Sequence, residues 1–182
     1  LRSATMAYGV MILLPAGRAG GEVIRASILA PYVGGPRAAA IATRLQGATL
    51  FANTLISIPC WIAVTMALDA GQPLAWLLVV NGAGTAILGS LIVFASRFSR
   101  LGGFLGRRIR ALATHGDSFD EALRDETSWA RPILATTFGR VLQAVQYGII
   151  LLAVGGSSSA VSALVAQGIH LVGAGFGDMV PN

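Results

Sequence analysis

Apolar residues along this chain gather in long uninterrupted windows, not in the strict alternation of half-buried strands. A bilayer core about 30 Å thick calls for roughly 20 apolar residues per spanning helix. The window Leu45 to Leu68, LQGATLFANTLISIPCWIAVTMAL, contains no Asp, Glu, Arg or Lys. Pro59 inside it removes a backbone donor and predicts a kink. Asp69-Ala-Gly-Gln-Pro73 supplies turn residues, and Leu74 to Ser96 is again free of charge. A third window, Pro132 to Val154, opens on a helix-starting proline and carries one charge, Arg140. After Gly155-Gly156-Ser157, a fourth window runs from Ser158 to about Phe176. Ser3 to Leu14 is apolar over only 12 residues, about 18 Å of helix, and reads as part of a span that starts earlier. The pattern predicts an all-α, polytopic integral membrane bundle over residues 1–182. It forms one transmembrane domain, with spans at 3–14 (partial), 45–68, 74–96, 132–154 and 158–176. Both ends read as cut, so the chain is expected to be a fragment of a longer domain.

Composition narrows the class. Hydrophobic residues make up 54% of the 182 and charged residues 12%, half the usual charge of a soluble domain, and the mean hydropathy is +0.71. Such a chain is not disordered, and it has little polar surface to cover a soluble core. All 13 basic residues are Arg, against 8 acids, for a net charge of +5. The Arg residues alternate with the apolar windows and form no dense patch, so nucleic acid is not the expected partner. Anionic lipid headgroups are. The single cysteine, Cys60, excludes an internal disulfide or cysteine metal site. No charged leader followed by a small-residue cleavage site is seen at the start.

Orientation follows from the Arg distribution. Arg97, Arg100, Arg107, Arg108 and Arg110 fall in one stretch without an acid, whereas the turns at Asp69 and Gly155 carry no Arg. The positive-inside rule then places 97–131, and with it 15–44, in the cytoplasm, as in a multi-pass protein of the bacterial inner membrane. Phe98, Leu101, Leu105, Ile109 and Leu112 recur at spacings of three and four, as in a surface-lying amphipathic helix. Ser118 and Glu121 match a capping box that starts a short helix ending near Trp129. A solvated connecting loop accounts for the same residues.

Candidate chemistry lies where charges interrupt apolar sequence. In Leu13-Leu-Pro-Ala-Gly-Arg18-Ala-Gly-Gly-Glu22-Val-Ile-Arg25, a helix reaches Pro15 and is expected to break over three glycines. Such a break is tolerated at membrane depth only inside protein or beside a cavity. If helical, Arg18, Glu22 and Arg25 share a face, Glu22 can pair with either Arg, and the other suits a phosphate. A cytoplasmic turn with a surface ion pair is the plainer reading, but Ala26-Ser-Ile-Leu-Ala30-Pro31 is too apolar for an exposed loop and too short to span. A re-entrant hairpin fits it. Gln167-Gly-Ile-His170-Leu-Val-Gly-Ala-Gly-Phe-Gly-Asp178-Met-Val-Pro181-Asn182 is expected to lose helical quality at Gly173, Gly175 and Gly177, making a parallel repeat of the first element. Arg140 lies about 12 Å into its span, where a charge is costly unless paired or hydrated. Thr136, Thr137, Gln143 and Tyr147 surround it as a polar stripe that should face the bundle interior. It reads equally as a headgroup contact, with Asp178 or Glu22 as counter-ion, and as a structural ion pair or a snorkelling side chain. His170 shares a face with Gln167 and reads more readily as a hydrogen-bonded packing residue than as a proton relay. The loop acids Asp117, Asp120, Glu121, Asp125 and Glu126 suit a solvated helix face better than a metal loop. No H-E-x-x-H, G-x-S-x-G, P-loop or C-x-x-C motif occurs. No catalytic residue, metal or cofactor is therefore expected.

LLPAGRAGGEVIRASIL and the later GIHLVGAGFGDMVPN resemble the flippase-like transmembrane domain of the lysylphosphatidylglycerol synthase family. Pro15, Gly20 or Gly21, Glu22 and Arg25 match its first motif, a Pro, Gly and Glu followed by an Arg. Gly177, Asp178 and Pro181 match the start of its second. The resemblance implies a polytopic inner-membrane protein that moves an amphipathic lipid between leaflets, with a lysyl, hopanoid or polyprenyl-linked lipid as cargo. The synthase activity belongs to a separate soluble domain with no counterpart here. The residues expected to handle lipid are Arg18, Glu22, Arg25, Arg140, Gln143, His170 and Asp178. Transport is thus expected, with an oligomer or a partner enzyme compatible with the sequence. The alternatives are a membrane glycosyltransferase or other lipid-modifying enzyme using the loop acids, and a non-catalytic membrane anchor for a partner enzyme.

Overall fold

The computed structural model describes residues 17–98, 116–125, 128–155 and 159–177. Among them are six helices and no strand: α1 (Gly17–Val33), α2 (Gly35–Ala67), α3 (Pro73–Phe98), α4 (Gly116–Asp125), α5 (Ala130–Ala153) and α6 (Ala160–Gly177). The all-helical expectation holds. Two helices are long and apolar enough to cross a membrane, α2 and the Pro73–Phe94 part of α3; Ala160–Gly175 of α6 is apolar but shorter. The partial span at 3–14 and the amphipathic pattern from Leu101 to Leu112 lie outside the described residues.

Several boundaries differ from the sequence reading, each for a local reason. α1 runs unbroken through Gly20 and Gly21 and over Pro31, so the expected break over these glycines does not occur between Gly17 and Val33. The chain turns at Gly34 instead, whose φ of +86° suits a residue without Cβ. Its amide closes on the Ala30 carbonyl at 2.9 Å, capping α1. α2 then starts at Gly35, ten residues before the apolar window. The run Ala38-Ala-Ala40 favours helix strongly and carries α2 past Arg37 and Arg44, with Pro36 in its first turn. α6 likewise continues through Gly173 and Gly175 to Gly177, correcting the expected loss of helix there. α4 begins at Gly116, so Ser118 lies inside the helix and not at its cap, and it ends at Asp125, short of Trp129. A reciprocal cap forms at α6 instead. Ser162 N donates to Ser159 Oγ and Ser159 N donates to Ser162 Oγ, both at 3.0 Å.

The described residues divide into two compact units: 17–47, 89–98, 116–125 and 128–129 form one, and 48–88 with 130–155 and 159–177 the other. In the first, α4 lays Phe119 and Leu123 on Ala40 of α2, with Ala39 and Ala122 at the edge. Trp129 packs so closely on Gly47 that a Cβ there would lie 2.9 Å from the indole. Arg44 is buried, donates to the Ser128 carbonyl at 2.9 Å and stacks over Trp129 at 5.3 Å.

The second unit is built from the later part of α2, the first part of α3, α5 and α6. Its apolar core is Ile56, Cys60, Val64, Ala75, Leu78, Leu171 and Val172. α5 and α6 run antiparallel: Gly148 abuts Ala163, while Gln143, earlier on α5, meets His170, later on α6. α2 and α3 are tied by hydroxyls and an amide. Thr54 Oγ1 and Thr85 Oγ1 lie 3.0 Å apart, and Asn81 Nδ2 donates to Ser57 Oγ at 3.3 Å. Side chains of this kind hold helices together where apolar surroundings offer no water.

Candidate functional site

The chemistry of the second unit concentrates between α5 and α6. Arg140, Gln143 and Tyr147 recur at spacings of three and four on α5, and Gln167 and His170 are three apart on α6, so each set occupies one helical face. Packing brings the two faces together. Arg140 Nη1 donates to Gln143 Oε1 at 2.9 Å. Gln167 Nε2 donates to the same oxygen at 3.3 Å. The nitrogen end of Gln143 lies 3.2 Å from His170 Nε2, and the Tyr147 ring is tilted against the imidazole with centroids 5.6 Å apart. Gln167 is wholly buried, and its Oε1 has no hydrogen-bond partner. An unsatisfied buried carbonyl costs free energy.

The rest of the α5 stripe sits beside this cluster. Thr136 Oγ1 donates to the Pro132 carbonyl at 2.7 Å and reaches the Ala48 carbonyl of α2 at 3.3 Å. Thr137 keeps a buried hydroxyl without a partner. Thr136, Thr137, Gln143 and Tyr147 are all partly buried, whereas Leu134, Phe138, Leu142 and Ile149 on the same helix are exposed. These polar side chains are thus partly covered while large apolar ones on the same helix are exposed; Gln146 is exposed as well.

In the first unit, Glu22 and Arg25 pair on α1, with Arg25 Nη1 at 2.9 Å from Oε1 and 3.2 Å from Oε2. Burial holds the Glu22 carboxyl above its usual value of 4.5, and the Arg25 charge offsets part of that rise. Glu22 and Arg25 thus form an ion pair within α1. Arg18 lies in α1 but its side chain is outside the described residues, as is Asp178. Of the seven candidate residues, Arg140, Gln143 and His170 come together between α5 and α6, and Glu22 pairs with Arg25 on α1.

The sequence pattern places Gln167 on one face with His170 and assigns it no role. Arg44, which falls in the 15–44 segment, has a buried side chain. Burial of Arg44 depends on Ser128 and Trp129, 84 and 85 residues further on, and no local pattern signals it. No group of three or more His, Cys, Asp or Glu side chains able to hold a metal occurs among the described residues. The chain matches no protein-family model, no curated protein and no solved structure.

Proposed function

We propose that the chain is part of a multi-pass inner-membrane protein that moves an anionic, aminoacylated or polyprenyl-type lipid between leaflets, in the manner of the flippase-like domain it resembles. One observation carries the reading: an arginine lies in a polar network between two helices that expose large apolar side chains, among them Phe138, Leu142, Ile149 and Ile169. A guanidinium binds phosphate in a planar, two-pronged fashion, and a charge held within a membrane bundle is a candidate contact for a polar cargo. In this reading Arg140 meets the lipid phosphate, Gln143 and His170 position it, and the Glu22–Arg25 pair on α1 forms a second charged element. Arg18 and Asp178 are assigned with them on the motifs alone.

The enzyme alternative gains no specific support. Asp120 is buried while Asp117 and Glu121 are exposed, so these acids do not converge on one open face. Leaflet exchange of a labelled anionic lipid in vesicles carrying the full-length protein tests the proposal. Exchange should exceed that of protein-free vesicles and fall in Glu22→Ala and Arg140→Ala. Undiminished exchange in both variants removes the residue assignments.

A further inference from the structure

Gln143 sits between a group that can only donate and a group that can do either. A guanidinium has no acceptor, so the 2.9 Å approach of Arg140 Nη1 fixes which end of the Gln143 amide is oxygen. Gln167 Nε2 approaches that same oxygen. The amide nitrogen of Gln143 therefore faces His170 Nε2 at 3.2 Å. Because an amide NH2 only donates, His170 Nε2 must present its lone pair. The imidazole in this arrangement is neutral, with its proton on Nδ1.

A proton added to Nε2 would set N–H against N–H. The conflict is relieved if the Gln143 amide turns over, giving its oxygen to His170 and its NH2 to the opposite side. Arg140 then loses that acceptor. Gln167 already holds the complement of the turned amide, a buried Oε1 without a partner. Reversal of its own amide would direct that oxygen at Gln143 Nε2. The same four side chains thus support two hydrogen-bonding patterns, and the second uses the one oxygen that the first leaves unsatisfied.

We propose that His170 is a proton-binding site, and that proton uptake at Nε2 transfers Gln143 Oε1 from Arg140 to His170, leaving the guanidinium to exchange that bond for one to an anionic headgroup. The proton comes from water and no covalent bond other than N–H forms. The lipid consequence rests on the flippase reading, whereas the proton switch does not. Among the described residues, the following ionisable groups face His170. α5 presents Arg140, through Gln143, and Tyr147. α2 presents Cys60, packed on neighbouring Gly168. α3 brings none between 73 and 88. An imidazolium near Arg140 favours a bound anion, so proton and anionic lipid promote each other's binding by reciprocal linkage.

The test uses the full chain with His115→Gln, which leaves His170 as the sole histidine of the two in the sequence. With 15N-labelled histidine in nanodiscs, neutral His170 should carry its proton on Nδ1, and the Gln143 side-chain amide should shift with the same midpoint as the ring. Gln143→Leu should abolish the tautomer preference. Affinity for phosphatidylglycerol should rise about tenfold on protonation, and the rise should vanish in Arg140→Gln. A neutral ring protonated on Nε2, or a Gln143 amide indifferent to the titration, overturns the proposal even if the protein exchanges lipid. The expected tautomer and amide shift in a protein that exchanges no lipid uphold the switch and overturn the flippase reading.

Discussion

Replacing Gln167 by Leu should stabilise the protein and disable it. Gln167 is fully buried on α6, makes one described side-chain hydrogen bond, to Gln143 Oε1 at 3.3 Å, and leaves its own Oε1 unpaired. Loss of one interhelical bond of this kind costs about 0.6 kcal/mol in apolar surroundings. Relief of an unsatisfied buried carbonyl returns about 1–3 kcal/mol. Leu is close enough in volume to avoid a large cavity, and Gln143 Oε1 keeps its bond from Arg140. The balance favours Gln167→Leu by about 1 kcal/mol, which for a chain of this length is a rise of about 2–4 °C in Tm. Gln143→Leu is the contrast. It strips the acceptor shared by Arg140 and Gln167 and the donor facing His170, and should cost about 2–4 kcal/mol. Thermal unfolding of the full chain in detergent, followed by circular dichroism, measures both. A Gln167→Leu variant less stable than wild type by 1 kcal/mol or more would refute the reasoning, because the Oε1 would then have a partner that holds the fold.

Gly47→Ala should destabilise by about 1 kcal/mol despite better helix propensity, since its Cβ would lie 2.9 Å from the Trp129 ring; Trp129→Leu in the same chain should recover most of the loss in a thermal melt. Ser159→Ala should cost about 1 kcal/mol by removing the α6 cap, and Ser159→Asp should restore it. Glu22 should lower stability as pH rises. Its carboxyl is held above the usual 4.5 by burial, so its contribution is full below that value and is lost as pH climbs through the raised one. Denaturant unfolding of Glu22→Gln at several pH values should show a flatter profile than wild type.

The windows around Phe51 and Leu88 were legible as helices because length and apolarity alone decide them. Helix ends were less so. The start of α2 is hidden because the charge-free window begins only at Leu45, after Arg44, although the alanines ahead of it keep the helix going from Gly35. Ser118 and Glu121 have the spacing of a cap but sit inside α4, whereas Ser159 and Ser162 form the actual cap with a serine in the acidic position. The two polar faces, Arg140 with Gln143 and Gln167 with His170, were each readable from their spacing. Their meeting was not, since it depends on how α5 and α6 rotate about their axes as they pack, and 27 residues separate Gln143 from His170. Arg44 on Trp129 was hidden for the same reason.

Leaflet exchange by Gln167→Leu tests the central claim most directly, because the variant is expected to fold at least as well as the parent and a loss cannot be ascribed to unfolding. If the Arg140–Gln143–His170–Gln167 network handles the lipid, exchange of labelled phosphatidylglycerol falls to the level of protein-free vesicles while Tm rises. Exchange at the wild-type rate in that variant would contradict the account.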